Sequence, residues 1–286
     1  MEFKWARQLG DGLRPLDEEH LYETFHVASR IAPEISRLAP PATTNAFEMF
    51  VASRGFTQLD HLPAVALIDQ EPEDAGLRHA MLRRRSSREL SGSVGFVELS
   101  CLLRQALGLT SVVENEAFGV SQGLRSWPSA GGLYPLDAYV VANNVEGLAR
   151  GVYHFNVARE QLERLAARDP RDVLAEGFLW QDFVTDAACV VLLVGVFERT
   201  IVKYGERGYR LVLLDAGHAG QNLLLTCEQL DLAATALGGF ADETLARDLR
   251  IDGLSRAVVH AVAVGGPRAL RSERRSEGVG KDGNDV

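Results

Sequence analysis

Cysteine is scarce in this chain: Cys101, Cys189 and Cys227 are its only three. They are odd in number, far apart and set in apolar surroundings, and no CxxC pair occurs. That pattern excludes a disulfide framework and a cysteine-based zinc site, and it reads as buried free thiols in a reducing compartment. No metal site is expected. Long hydrophobic runs are also lacking. No stretch reaches the roughly 18 apolar residues that a membrane span requires. The opening MEFKWARQLGDGLRP carries no apolar signal core. A cytoplasmic protein without membrane association is therefore expected. Positive charge is in deficit as well, with a net charge of −9, which argues against a partner made of nucleic acid or anionic lipid.

What remains is ordinary globular material: 286 residues, 46% apolar and 24% charged, enough for one large domain or two modest ones. Residues 1–75 mix short helical patches, such as 18–31, with the proline-rich RLAPPATT. They are expected to form an N-terminal extension wrapping a main domain over 76–268. The charged, glycine-rich tail 269–286 is expected to be disordered. DAGLRHAMLRRRSSREL predicts a helix ending near the serine pair. FVELSCLLRQALGL, apolar at i, i+3, i+4 and i+7, predicts a helix ending at Gly108. Residues 111–126, polar and glycine-containing, read as a loop.

DAYVVAN and GVYHFN read as an antiparallel strand pair, and the unbroken apolar run ACVVLLVGVF as a strand covered on both faces. YRLVLLDAGHAGQNLLLTCEQLDL predicts a long, central, buried helix, and AVVHAVAVGG a further strand. The sum is an α+β domain.

Two stretches stand out chemically. In RRRSSR, Arg83, Arg84, Arg85 and Arg88 form a basic island on an acidic chain, with Ser86 and Ser87 as neutral donors. Guanidinium groups make paired, charge-assisted hydrogen bonds to phosphate oxygens, so the island suits a phosphate monoester. A solvated helix end favoured by the helix dipole is the plainer alternative. In SWPSAGGLYPLDAYVVAN, Gly131 and Gly132 stand between two prolines directly before a strand. They serve either a tight connection or the close approach of backbone to a flat ligand. VGGPR, 264–268, repeats the glycine pair beside an arginine, a second candidate phosphate contact. His218 and His154 read as structural histidines, and Gln221 and Asn222 as partners of backbone groups or an interface.

RRSSR, PSAGGLYP, KYGERGYR, LDAGHAGQNLLL and ALGGF, in that order, resemble the nitroreductase-like flavoproteins. More narrowly they resemble the SagB-type dehydrogenases, known best for azoline dehydrogenases of peptide natural-product pathways. The resemblance covers 76–268, and FHVASR, 25–30, is similar to a degenerate form of a short N-terminal motif of that family. It implies a nitroreductase-like α+β fold: a central, mostly antiparallel sheet sandwiched by helices in a domain-swapped homodimer, with two FMN sites at the interface. It implies that Arg84, Arg85, Ser86 and Arg88, helped by Arg268, hold the FMN phosphate, ribityl chain and pyrimidine edge. Pro128, Ser129, Ala130, Gly131 and Gly132 would come from the partner chain and lie along the ring. Leu237, Gly238 and Gly239 would present a backbone N–H near flavin N5.

The same resemblance makes Lys203 and Tyr204 of KYGERGYR the catalytic pair, with a cyclodehydratase as a possible partner. Oxidising an azoline removes a Cα proton and a Cβ hydride, so a base is needed. A lysine serves only if desolvation or a neighbouring cation, such as Arg199 or Arg207, depresses its pKa. The expected function is oxidation of thiazoline or oxazoline rings in a ribosomally made peptide. Its rivals are a related flavin oxidoreductase acting on a carrier-bound or small molecule, an NAD(P)H-dependent nitro or quinone reductase, and a non-catalytic scaffold of a synthetase complex.

Overall fold

The computed structural model describes residues 21–28, 76–115, 120–165, 168–178 and 181–267. The tail 269–286, most of 1–75 and Arg268 lie outside them.

Six strands build the central sheet, in the order β7 (Gln161–Arg164), β6 (Gly151–Asn156), β4 (Leu136–Ala142), β8 (Cys189–Val196), β10 (Arg256–Pro267) and β9 (Leu232–Leu237). Every neighbouring pair in it is antiparallel. The expected pairing of DAYVVAN with GVYHFN is present, with Val140 opposite Tyr153. β8 shows why its sequence is apolar without alternation. Cys189, Val191 and Leu193 point into one core, and Val190, Leu192 and Val194 into the other.

Helices cover both faces. On one lie α3 (Phe96–Leu107), which stops at Gly108 as its periodicity predicts, and the 23-residue α6 (Arg207–Gln229). On the other lie α4 (Pro170–Gly177), a 3-10 turn over Asp182–Asp186, and α7 (Asp242–Leu249). A short parallel pair, β1 (Val94–Gly95) with β5 (Val145–Glu146), stands apart from the sheet.

The structure corrects several expectations. The stretch 111–126, expected as a loop, carries strands: β2 (Leu109–Asn115) and β3 (Val120–Arg125) form an antiparallel ribbon with Val112 opposite Gly123. The ladder between them pairs the facing backbone groups of the two strands, so a polar, glycine-containing sequence still forms strands. The α6 helix buries only one face, through Val212, Ala216, Ala219 and Leu223; Leu213 and Leu214 are exposed. His218 belongs to that exposed side rather than to the core. The helix before the serine pair, α2 (Gly76–Arg83), ends at Arg83, and Arg84 to Ser87 continue as irregular chain.

The glycines of VGGPR have a packing reason. A Cβ on Gly265 would lie 2.4 Å from the Leu90 carbonyl oxygen, because the chain at Leu90 crosses directly over β10. Cys189 and Cys227 are buried free thiols, while Cys101 is half-buried. Burial pushes the Cys189 thiol up to about 12. His154 is held structurally, with Nδ1 3.0 Å from Glu163.

Candidate functional site

One end of the sheet carries the first cluster. There the start of β4, the end of β8 and the start of β10 lie side by side, with Leu136 opposite Gly195 and Val196 opposite Arg256. The chain reaches β4 through the turn Trp127–Pro135. Gly131 and Gly132 take φ of 63° and 66°, a region open to glycine and costly for other residues. The backbone N–H of Gly132 donates to the Ser129 carbonyl at 3.0 Å, and that of Tyr134 to the Ser129 hydroxyl at 2.9 Å. Beneath the turn, the Trp127 ring meets Tyr134 edge-on, and the Arg125 guanidinium lies over both rings.

The short helix α5 (Glu198–Tyr204) brings Lys203 and Tyr204 to this turn. A Cβ on Gly131 would lie 2.6 Å from Lys203 Nζ and 2.8 Å from Tyr204 Oη. Lys203 Nζ also stands 5.4 Å from the centre of the Tyr204 ring. The positive φ of Gly131 favours glycine, and a Cβ there would push aside the tips of its own chain's Lys203 and Tyr204, a contact that the sequence reading did not supply. Arg199, expected as a cation near Lys203, is instead held by Asp137, its Nη1 2.8 Å from the carboxylate. Arg256 takes the other oxygen of Asp137 at 2.9 Å.

Sequence reasoning missed Asp215. It is buried on α6 and faces the Ser129 and Trp127 side chains and the Ala130 backbone N–H. Burial raises its carboxyl above the ordinary carboxylate value, and these donors oppose the rise. The available signal was an aspartate inside an apolar helical run, since a buried carboxylate needs donors nearby.

The second cluster lies along β9, the outer strand of the sheet. The Ser87 backbone N–H donates to the Ala234 carbonyl at 2.9 Å, fixing the arginine island beside that strand. Arg85 folds back, its Nη1 donating to the carbonyls of Leu82 and Arg84 at 2.8 Å each. Part of the island therefore caps a helix end, as the plainer reading held. Arg88 is exposed and lies over the Phe183 ring at 5.9 Å. Ser86 is also exposed. Leu237 is buried, whereas a Cβ on Gly238 would meet nothing within 4 Å. Gly239 is anchored through its carbonyl, which accepts from Gln181. Both glycines leave β9 at the same sheet end as the Gly131 turn. β8 and β10 lie between β9 and β4, a separation of three strand spacings, about 14 Å.

The structure thus brings Pro128–Gly132 together with Lys203 and Tyr204. It sets Arg84, Arg85, Ser86, Arg88, Leu237, Gly238 and Gly239 in a separate group. The chemistry of the second group fits a phosphate-bearing flat cofactor: exposed guanidinium and hydroxyl groups on irregular chain beside β9 stand with a glycine that faces open space just past the strand's end. A cleft of about 630 Å³ between α2 and α6, lined by Leu77, Arg83, Asn222 and Glu228, takes in Arg83 of the arginine island but none of the residues that the resemblance assigns to the cofactor or to catalysis.

An antiparallel sheet between two helical layers, with glycine turns and a basic island at its margins, defines an α+β enzyme-type domain. The chain belongs to the nitroreductase family, whose model matches residues 81–266. It is 33% identical over 180 residues to a candidate nitroreductase, MJ1384, of Methanocaldococcus jannaschii, covering 63% of this chain and 86% of that protein. It is 29% identical over 135 residues to the microcin B17-processing protein McbC of Escherichia coli, 45% of this chain and 49% of that one. The chain thus matches about half the length of this second relative. Among solved structures, the E. coli microcin synthetase McbBCD complex with truncated pro-MccB17 bound contains a chain of similar fold. Its TM-score is 0.63 at 19% identity, over 86% of this chain and 92% of that one.

Proposed function

We propose that this protein is an FMN-dependent dehydrogenase that oxidises azoline rings to azoles in a ribosomally made peptide. The observation that carries the reading is the convergence of Lys203 Nζ and Tyr204 Oη on Gly131. An amine and a phenol placed together against an open backbone turn can take a Cα proton and orient its acceptor. Bound FMN would supply the complementary chemistry, accepting the Cβ hydride. The substrate then loses one proton and one hydride, a mass change of about 2 Da per ring.

In this reading Lys203 Nζ receives the Cα proton and Tyr204 Oη holds the lysine in line. Arg84, Arg85, Ser86 and Arg88, with Arg268, bind the phosphate and ribityl chain, and the Gly238–Gly239 backbone presents N–H groups to the ring. Pro128 to Gly132 form the opposing wall. The separation of these two groups within one chain supports a homodimer in which the turn of one protomer, with its Lys203 and Tyr204, completes the arginine side of its partner. A cyclodehydratase partner draws support from the likeness to McbC and to the microcin synthetase complex.

The purified protein should carry flavin absorbance, or regain it with added FMN. It should also remove 2 Da per ring from an azoline-bearing peptide, read by mass spectrometry. Flavin absorbance with no mass loss would reject the azoline reaction, and no flavin binding would reject any flavoenzyme reading.

The likeness to MJ1384 favours a second reading, an NAD(P)H-dependent reductase of nitro compounds or quinones. Nitroaromatic turnover that matches or exceeds azoline oxidation would select it.

A further inference from the structure

The α5 helix that carries Lys203 and Tyr204 is weakly anchored by itself. It has seven residues, of which only Thr200 is buried. Isolated helices shorter than about 12 residues are marginal in water, so the position of α5 has to be imposed from outside. One support is Gly208 of α6, where a Cβ would lie 2.8 Å from the Ile201 backbone nitrogen, so the two helices meet backbone to backbone. The other support is the N-terminal helix α1 (Leu21–Ala28).

Although far away in sequence, α1 contacts residues on both sides of α5. Before it, Phe197 receives the His26 ring edge-on at 5.4 Å and the Tyr22 ring at 5.7 Å. After it, the backbone N–H of Tyr22 donates to Glu206 at 2.9 Å. Three residues further, His26 Nδ1 is 3.1 Å from the Tyr209 hydroxyl, and the Tyr22 and Tyr209 rings stack at 5.7 Å. His26 is 4% exposed and Tyr209 8%, so this hydrogen bond is shielded from water. A helix that served only as a surface cover would have no need of a buried histidine and a carboxylate acceptor at these places.

We propose that α1 is the positioning element of the Lys203–Tyr204 helix, acting through Phe197, Glu206 and Tyr209 to hold that pair against the Gly131 turn. His26 and Tyr22 are positioning residues that need not touch substrate. The effect on turnover rests on the reading of Lys203 and Tyr204 given above; the effect on α5 itself does not.

Hydrogen exchange on the full-length chain separates the two. Losing one buried hydrogen bond should speed amide exchange across 198–206 about tenfold in His26→Ala. Exchange over 96–107 should stay unchanged. Azoline oxidation should fall through kcat while flavin absorbance is retained, and His26→Asn, whose amide can reach the Tyr209 hydroxyl, should recover both readouts. If His26→Ala fails to fold, Tyr209→Phe removes only the hydroxyl and should give the same exchange result. Unchanged exchange over 198–206 would overturn the inference. Faster exchange there, in a protein whose wild type oxidises no azoline, would support the positioning role and reject the proposed reaction.

Discussion

Lys203 Nζ lies 2.6 Å from the point where a Gly131 side chain would begin. The glycine turn and the lysine are therefore one structural unit, although 72 positions separate them in sequence. Gly131→Ala strains a backbone at φ 63° and displaces both Lys203 and Tyr204. The expected outcome is a loss of about 1 kcal/mol in stability, seen in thermal melts. Azoline oxidation should fall at least as far as one misplaced catalytic group implies, about 100-fold. Lys203→Ala should abolish oxidation while retaining flavin.

Asp215 supports the same turn from below. Asp215→Ala leaves donors at Ser129 and the Ala130 backbone without their acceptor, which should cost about 1–3 kcal/mol. Asp215→Asn, nearly isosteric, should cost less. The comparison is made by denaturant titration.

The pH dependence follows from the raised Asp215 carboxyl. Because folding favours its protonated form, this group's contribution is full below its ordinary value of 3.8 and is lost as pH rises through the raised folded value. Stability curves of wild type and Asp215→Asn, measured from acid upward, should differ by that falling component. Parallel curves would show that the carboxyl does not titrate with folding.

The arginines should not behave alike. Arg88 is exposed, so Arg88→Ala should weaken FMN retention by about 1.5–3 kcal/mol, the value of a charge-assisted hydrogen bond. Arg85 already donates to two carbonyls at the end of α2, so Arg85→Ala should cost less flavin affinity and some helix stability. Flavin fluorescence titration measures the first effect and circular dichroism the second.

Gly265 provides a purely structural check. Its missing Cβ leaves room for the Leu90 backbone, which cannot retreat as a flexible side-chain tip could. Gly265→Ala should destabilise by about 1–3 kcal/mol, read as a lowered Tm.

The strands and helices with strong patterns were legible locally. The all-apolar β8 and the Phe96–Leu107 helix follow from periodicity, because burial on two faces or one leaves its mark in the order of residues. The β2–β3 ribbon was not legible, since its stability comes from a ladder between strands rather than from apolar alternation. His218 misled for a related reason: the α6 sequence is apolar on both sides, yet the chain buries only one. Asp215 was passed over because its donors lie more than 80 positions away.

By itself the sequence determined the α+β class and the residue types available for phosphate, ring and proton chemistry, since these depend on composition and local order, and its ordered motifs carried the resemblance to the family. The tertiary structure decided which of them meet. It joined Gly131 to Lys203 and Tyr204, tied Arg199 to Asp137 and set the arginine island three strands away. Those outcomes depend on strand order and chain crossings, which arise from the simultaneous packing of segments distant in sequence.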